Sequence, residues 1–196
     1  MEDTGERQIP KVPGTLEGLD IKHTQRYDWA SAFTLDKEVY DVACGTGYGS
    51  LMLHAAEYTG FDNSAEAIEF AEQFYATKDN VKFAVADACA MPENLPPVDV
   101  IISFETIEHI KDPEAFLRWC ASHAKILLIS SPIRGSFGRS RFHLFEWRLH
   151  EFKQTVDKYF TKVDMLVQRD GRIDYPAQPE DKGVALAICQ NNQPKS

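Results

Sequence analysis

Short β-like runs alternate with helical patterns through most of this 196-residue chain, and that alternation narrows its folding options more than any other feature. The strand candidates are 38–43 (EVYDVA), 57–61 (EYTGF), 81–86 (VKFAVA), 98–104 (VDVIISF), 125–130 (KILLIS), 162–167 (KVDMLV) and 184–189 (VALAIC). Helical patterns lie at 22–33, near 48–56, and at 64–76, 112–123 and 146–159. Ser64 is placed to cap one helix, and Asp112 with Pro113 makes an N-cap and N1 pair for another. Parallel strands need a crossover, so this order predicts an α/β fold: a doubly wound, mostly parallel seven-stranded sheet with helices on both faces. Only a loop rich in Pro and Asp separates the last two strands, which predicts an antiparallel hairpin and an antiparallel last strand. Residues 1–20 hold three Gly and two Pro and read as a flexible N-terminal arm. Residues 21–190 read as one domain and 191–196 as a disordered tail.

Ligands on such sheets bind at the carboxyl ends of the strands. The first strand runs into Cys44-Gly45-Thr46-Gly47-Tyr48-Gly49, a turn whose glycines let the backbone approach a ligand closely. The second ends in Asp62, 17 positions after Gly45, where a carboxylate can accept both hydroxyls of a ribose. The third ends at Ala86-Asp87-Ala88, with Asp87 suited to an adenine amino group, and the fourth leads into Phe104-Glu105.

In this order, the segments 39–47 (VYDVACGTG), 60–64 (GFDNS), 85–88 (VADA) and 104–109 (FETIEH) resemble the class I S-adenosyl-L-methionine-dependent methyltransferases over roughly residues 5–165. The resemblance implies a Rossmann-like sheet with a reversed last strand. It also implies that Asp62 and Asn63 bind ribose, Asp87 and Ala88 adenine, and Gly45 and Gly47 the methionine end. Arg26, Tyr27, Asp41, Ala43, Cys44, Phe104 and Glu105 join them as expected cofactor contacts. A sulfonium cofactor has no pyrophosphate to cradle, and an acidic pocket suits its positive centre. Two departures point to a trimmed core: the segment 48–56 leaves room only for a short helix, and Ser122-His123-Ala124-Lys125 stands where the family has a Pro-Gly-Gly turn.

Glu105, Glu108 and His109 stand at i, i+3 and i+4, so a helical turn there presents all three to one side. His143, just past the fifth strand, is a fourth candidate. Two carboxylates and two imidazoles make a plausible divalent site for Mg, Mn or a similar ion, with positions left for substrate oxygens. The Glu-x-x-Glu-His segment and the run His143-Leu144-Phe145-Glu146-Trp147 resemble small-RNA 3′-terminal 2′-O-methyltransferases, and the former also resembles ubiquinone-type O-methyltransferases. A third likeness joins Gly5-Glu6-Arg7-Gln8-Ile9-Pro10 and Arg26-Tyr27 to bacterial and phage methyltransferases found beside glycosyltransferases. The resulting expectation is methyl transfer to a hydroxyl oxygen assisted by a metal on Glu105, Glu108, His109 and His143, with Glu108, His109 and His143 as the catalytic set. Alternatives stay open: Glu105 serving the cofactor amine, His109 or His143 as general base without metal at an oxygen or nitrogen acceptor, or a cofactor-binding partner subunit without turnover.

Arg134, Arg139 and Arg141 place three guanidiniums on a Gly-bearing loop before His143, able to clamp phosphate or carboxylate of a substrate. A formal charge of −9 makes long nucleic-acid duplexes poor partners, which favours a small molecule or glycan, with an RNA 3′ end as the other option. No apolar run reaches the roughly 18 residues of a membrane span, and the polar, acidic start is unlike a signal peptide. Four cysteines without CxxC spacing read as small buried hydrophobes kept reduced, and together these features point to a cytoplasmic protein.

Overall fold

The computed structural model describes residues 7–137, 140–176, 178 and 181–191. Two compact units divide the chain, one up to Ala88 and the other from Cys89 onward.

In the first unit, α1 (Ile21–Thr34) begins at Asp20, whose carboxylate accepts from Lys22 N–H. The strands β1 (Glu38–Val42), β2 (Glu57–Asp62) and β3 (Val81–Val85) follow, with α2 (Ala65–Tyr75) between the last two. Their order is β3-β2-β1, all parallel, with Asp41 opposite Gly60 and Asp62 opposite Val85. Ser64 caps α2 by accepting from Ala67 N–H, as its position in the sequence implied. Between β1 and β2 the chain makes only one 3-10 turn, Tyr48–Leu51. Gly47 has φ +85°, and a Cβ there would come within 2.7 Å of both Ala71 and Phe83. Only glycine permits both that backbone and that approach of α2 and β3.

The second unit holds β4 (Val98–Ser103), α3 (Pro113–His123), β5 (Ala124–Pro132), α4 (Leu149–Val156), β6 (Lys162–Arg169), β7 (Arg172–Asp174) and β8 (Val184–Gln190). Its strand order is β4-β5-β8-β6-β7. β4 and β5 are parallel, and β8 inserts antiparallel to both β5 and β6. The expected hairpin of the last long strands is therefore present. The seven expected strands become eight among the described residues, because the Pro- and Asp-rich loop contributes β7, which pairs with β6. Three residues are too few for a periodic signal, so this strand exists only through its partner. Asp112 accepts from Ala115 N–H and Pro113 sits at the first turn of α3. Ile101, Leu117, Leu127, Leu128, Ile129 and Phe152 are fully buried, which fits strands covered on both faces. Among the described residues no helix is long and apolar enough to cross a membrane.

Candidate functional site

In the first unit the carboxyl ends of β1 and β2 form a tight polar cluster. Ala43, just past β1, has φ +63°, a left-handed conformation that costs a non-glycine residue roughly 1 kcal/mol. The strain turns the chain so that Gly45 N–H donates to Asp62 Oδ2 at 2.9 Å, while Ser64 N–H donates to Asp62 Oδ1 at 3.0 Å. Cys44 N–H donates to the Phe61 carbonyl at 2.9 Å, closing the turn onto β2. Cys44, Cys120 and Cys189 are buried as expected, whereas Cys89, just past the end of β3, is exposed; burial pushes the Cys44 thiol well above the usual range. Asp62, the carboxylate to which the resemblance assigns ribose, is thus aimed at the glycine turn. Asn63 and Asp87 are exposed and Ala88 half-buried beyond the ends of β2 and β3.

Residues 7–20, expected as a loose arm, lie against this cluster. Arg7 Nη2 pairs with Asp62 Oδ1 at 3.0 Å. Thr46 Oγ1, fully buried, donates to the Gln8 carbonyl at 3.1 Å. Tyr75 donates its hydroxyl to the Thr15 carbonyl at 2.9 Å.

Asp41 and Tyr27, both expected to touch cofactor, are hydrogen-bonded to each other. Tyr27 donates to both Asp41 oxygens at 3.0 and 3.2 Å, and Tyr58 donates to Oδ2 at 2.8 Å. Asp41 is 1% exposed, and burial pushes its carboxyl up to about 7 despite the hydroxyls that favour the charge. Its place inside β1, one residue before the strand end, turns it into the packed interior of this unit. Arg26 is also buried, its Nη2 2.9 Å from His23 Nδ1. Burial and that guanidinium lower His23 to about 4.

In the second unit, Glu105 follows β4 with φ +52°. Ser130 of β5 holds it from two sides: its Oγ accepts from Glu105 N–H at 3.0 Å and donates to Glu105 Oε1 at 3.3 Å. Phe104 is half-buried beside it. The chain then makes a 3-10 turn, Ile107–His109, rather than an α-helical one. Glu105, turned left-handed before that 3-10 turn begins, stands outside the group that forms next.

Glu108, His109 and His143 each offer a ligand atom within 4.8 Å of the others. Glu108 is 1% exposed, its carbonyl accepting from Leu144 and Phe145 N–H at 2.8 and 3.2 Å. These two bonds bring the 142–145 segment to the turn and set the His143 ring 4.9 Å from that of His109. His109 Nδ1 lies 3.1 Å from the Phe142 carbonyl. A carbonyl only accepts, so in the neutral ring Nδ1 carries the proton and Nε2, 4.0 Å from Glu108 Oε1, offers its lone pair. A backbone acceptor behind an imidazole is the arrangement that orients a metal-binding histidine.

The arginine loop divides. Arg134 Nε donates to the Glu146 carbonyl at 2.9 Å and its Nη2 lies 3.5 Å from Glu151, so it ties the start of α4 to the end of β5. Arg141 lies exposed with its guanidinium 4.6 Å from the Phe142 ring centre, two residues from His143. Arg139 falls outside the described residues. The arm pairing Arg7 with Asp62, the Ser130 clamp on Glu105 and the left-handed Ala43 and Glu105 were not foreseen. The Gly-Glu-Arg-x-x-Pro likeness marked Arg7 without giving it a role.

A methyltransferase-domain family model matches residues 34–176. A protein of Mycobacterium tuberculosis named a probable S-adenosylmethionine-dependent methyltransferase is 28% identical over 175 residues, 83% of this chain and 62% of its own length. The chain thus spans less than two thirds of that relative. A ubiquinone biosynthesis O-methyltransferase of Coxiella burnetii is 32% identical over 92 residues, 45% of this chain and 39% of its own. Among solved structures, the small RNA methyltransferase HEN1 superposes with a TM-score of 0.71 at 20% identity, covering 89% of this chain and 26% of that one. The plantazolicin methyltransferase BpumL, solved with S-adenosylhomocysteine (SAH), gives 0.66 at 18% identity, covering 87% and 84%. These two likenesses show the fold alone, the Rossmann-like α/β arrangement expected from the strand–helix order. With its family match running from the end of α1 to just beyond β7, the chain belongs to the methyltransferase-domain family.

Proposed function

We propose that this protein is an S-adenosyl-L-methionine-dependent methyltransferase that acts on a hydroxyl oxygen and uses a divalent metal. The carrying observation is the convergence of buried Glu108 with His109 and His143 within 4.8 Å. One hard carboxylate and two imidazoles suit an ion that also takes substrate oxygens, and a buried carboxylate is costly unless a cation or donors compensate it. The donor set therefore fits a metal on Glu108, His109 and His143. Glu105, expected as a fourth ligand, fits better as a cofactor-side residue held by Ser130. Bound there, such a metal would lower the pKa of a substrate hydroxyl and orient it. The chain's own residues do the rest. Asp62 and the Gly45–Gly47 turn receive ribose and the methionine end, Asp87 and Ala88 receive adenine, and Arg141 meets an anionic or polar edge of the acceptor. In the transfer a bond forms between the acceptor oxygen and the methyl carbon, the sulfonium–methyl bond breaks to leave a thioether, and the hydroxyl proton passes to solvent water.

The acceptor proposed is a small hydroxylated molecule or glycan. The net charge of −9 supports it over a nucleic acid, and the ubiquinone-pathway relative supports oxygen as the acceptor atom. A second reading has its own observation: the Nδ1 contact to the Phe142 carbonyl makes Nε2 of His109 the acceptor nitrogen of the neutral ring, which can serve as general base without metal.

Calorimetric titration of divalent metals into SAH-loaded protein separates the two. One ion bound by the unaltered protein, and none by Glu108→Gln or His143→Ala, supports the metal reading. No ion in any of them overturns it and leaves His109 as base, in which case chelator spares turnover and His109→Ala abolishes it. Radiolabelled methyl transfer to an extract, with and without nuclease, tests the acceptor. Nuclease-sensitive label overturns the small-molecule assignment, and absence of label despite tight SAH binding overturns turnover itself.

A further inference from the structure

The Arg7–Asp62 pair has a consequence for the cofactor, resting on the reading of Asp62 as the ribose carboxylate. A carboxylate offers about four lone-pair sites. Three are taken: Arg7 Nη2 and Ser64 N–H on Oδ1, and Gly45 N–H on Oδ2. A ribose diol needs two. The Ser64 and Gly45 donors are backbone groups pinned by the α2 cap and the β1–β2 turn, so neither can leave without unmaking those elements. Of these three donors among the described residues, Arg7 alone is on a rotatable side chain. Its stem lies along the glycine turn, its Cγ 3.6 Å from where a Cβ on Gly45 would stand, so it covers the same ground as a cofactor reaching from that turn to Asp62.

We infer that Arg7 competes with ribose for Asp62 and thereby sets the affinity for the cofactor. The backbone of the segment stays anchored while this happens. Thr46 Oγ1 holds the Gln8 carbonyl, Asp20 N–H donates to Gln8 Oε1 at 3.0 Å, and Pro10 is buried. Cofactor entry therefore displaces a guanidinium and leaves the strap in place, and Arg7 becomes free to face the incoming molecule or solvent.

The test is calorimetric binding of SAH to the full chain, comparing the unaltered protein with Arg7→Met, Arg7→Lys and Arg7→Met combined with Asp62→Asn. Met keeps the stem over Gly45 and removes the charged donor. Arg7→Met is expected to bind SAH roughly tenfold more tightly, about 1.4 kcal/mol, with Arg7→Lys falling back toward the unaltered value. The gap between unaltered and Met proteins narrows as salt rises from about 50 to about 500 mM, because the competing pair is screened. Equal or weaker binding by Arg7→Met overturns the proposal and makes Arg7 a neutral neighbour or a cofactor ligand. Absence of binding by the unaltered protein, or undiminished binding when Asp62→Asn is added to Arg7→Met, where no guanidinium competes, overturns the ribose assignment itself and the competition with it.

Discussion

Replacing Asp41 by Asn should stabilise the protein at alkaline pH, although it removes a charge that accepts from two tyrosine hydroxyls. Asp41 is 1% exposed within β1, and burial outweighs the Tyr58 and Tyr27 hydroxyls, carrying its pKa from 3.8 to about 7. The folded protein thus holds a proton between these values that the unfolded chain has released. Its stability contribution is complete below about 4 and is lost as pH rises through about 7. Roughly three pKa units at about 1.4 kcal/mol each give about 4 kcal/mol in all, of which roughly 2 to 3 kcal/mol falls between pH 5 and pH 8. Asn keeps one acceptor for a tyrosine hydroxyl, and its amide can donate to the other tyrosine's oxygen. Urea unfolding of both proteins at pH 5, 6, 7 and 8 measures the difference directly, and charge effects common to both cancel. The stability of Asp41→Asn relative to the unaltered protein should rise by about 2 to 3 kcal/mol across that range. Parallel curves, or a difference that moves the other way, would refute the claim that desolvation dominates at this carboxylate.

Tyr58→Phe removes the 2.8 Å donor to the same group, so it should cost about 1 to 2 kcal/mol, more at pH 8 than at pH 5, in the same urea series. Gly47→Ala forces a Cβ onto a left-handed backbone and against Ala71 and Phe83. A thermal melt should show a loss of at least roughly 2 kcal/mol, and less than about 1 would mean the turn can relax. Ser130→Ala removes both Ser130 hydrogen bonds to Glu105 and should cost about 1 to 2 kcal/mol by urea unfolding, with Ser130→Thr recovering much of it. The two described arginines of the loop should part company. Arg134→Ala destabilises by roughly 1 kcal/mol through the lost anchor to Glu146, whereas Arg141→Ala leaves stability within about 0.5 kcal/mol and lowers acceptor turnover.

The sequence by itself determined the order of elements. Apolar runs of five to seven residues and helix caps at Ser64 and Asp112 are local signals, written within one turn of the residues they control. The glycine turn and Asp62 were legible for the same reason, because the spacing between consecutive strand ends is a property of the chain. So was the cluster of Glu108 and His109, which are adjacent in sequence. Whether Glu105 belongs with them was not, because that depends on its backbone conformation just before the 3-10 turn. Ser130, 25 residues away on β5, holds Glu105 in the left-handed conformation that decides it. Likewise nothing near Asp41 announces that Tyr27 and Tyr58 would consume its oxygens, and nothing near Arg7 announces Asp62, 55 positions on. Local pattern determines which elements form and which chemistry each strand end carries. The partner that each charged or polar group acquires is decided only by tertiary packing, since burial makes every such group take whichever donor or acceptor the fold delivers.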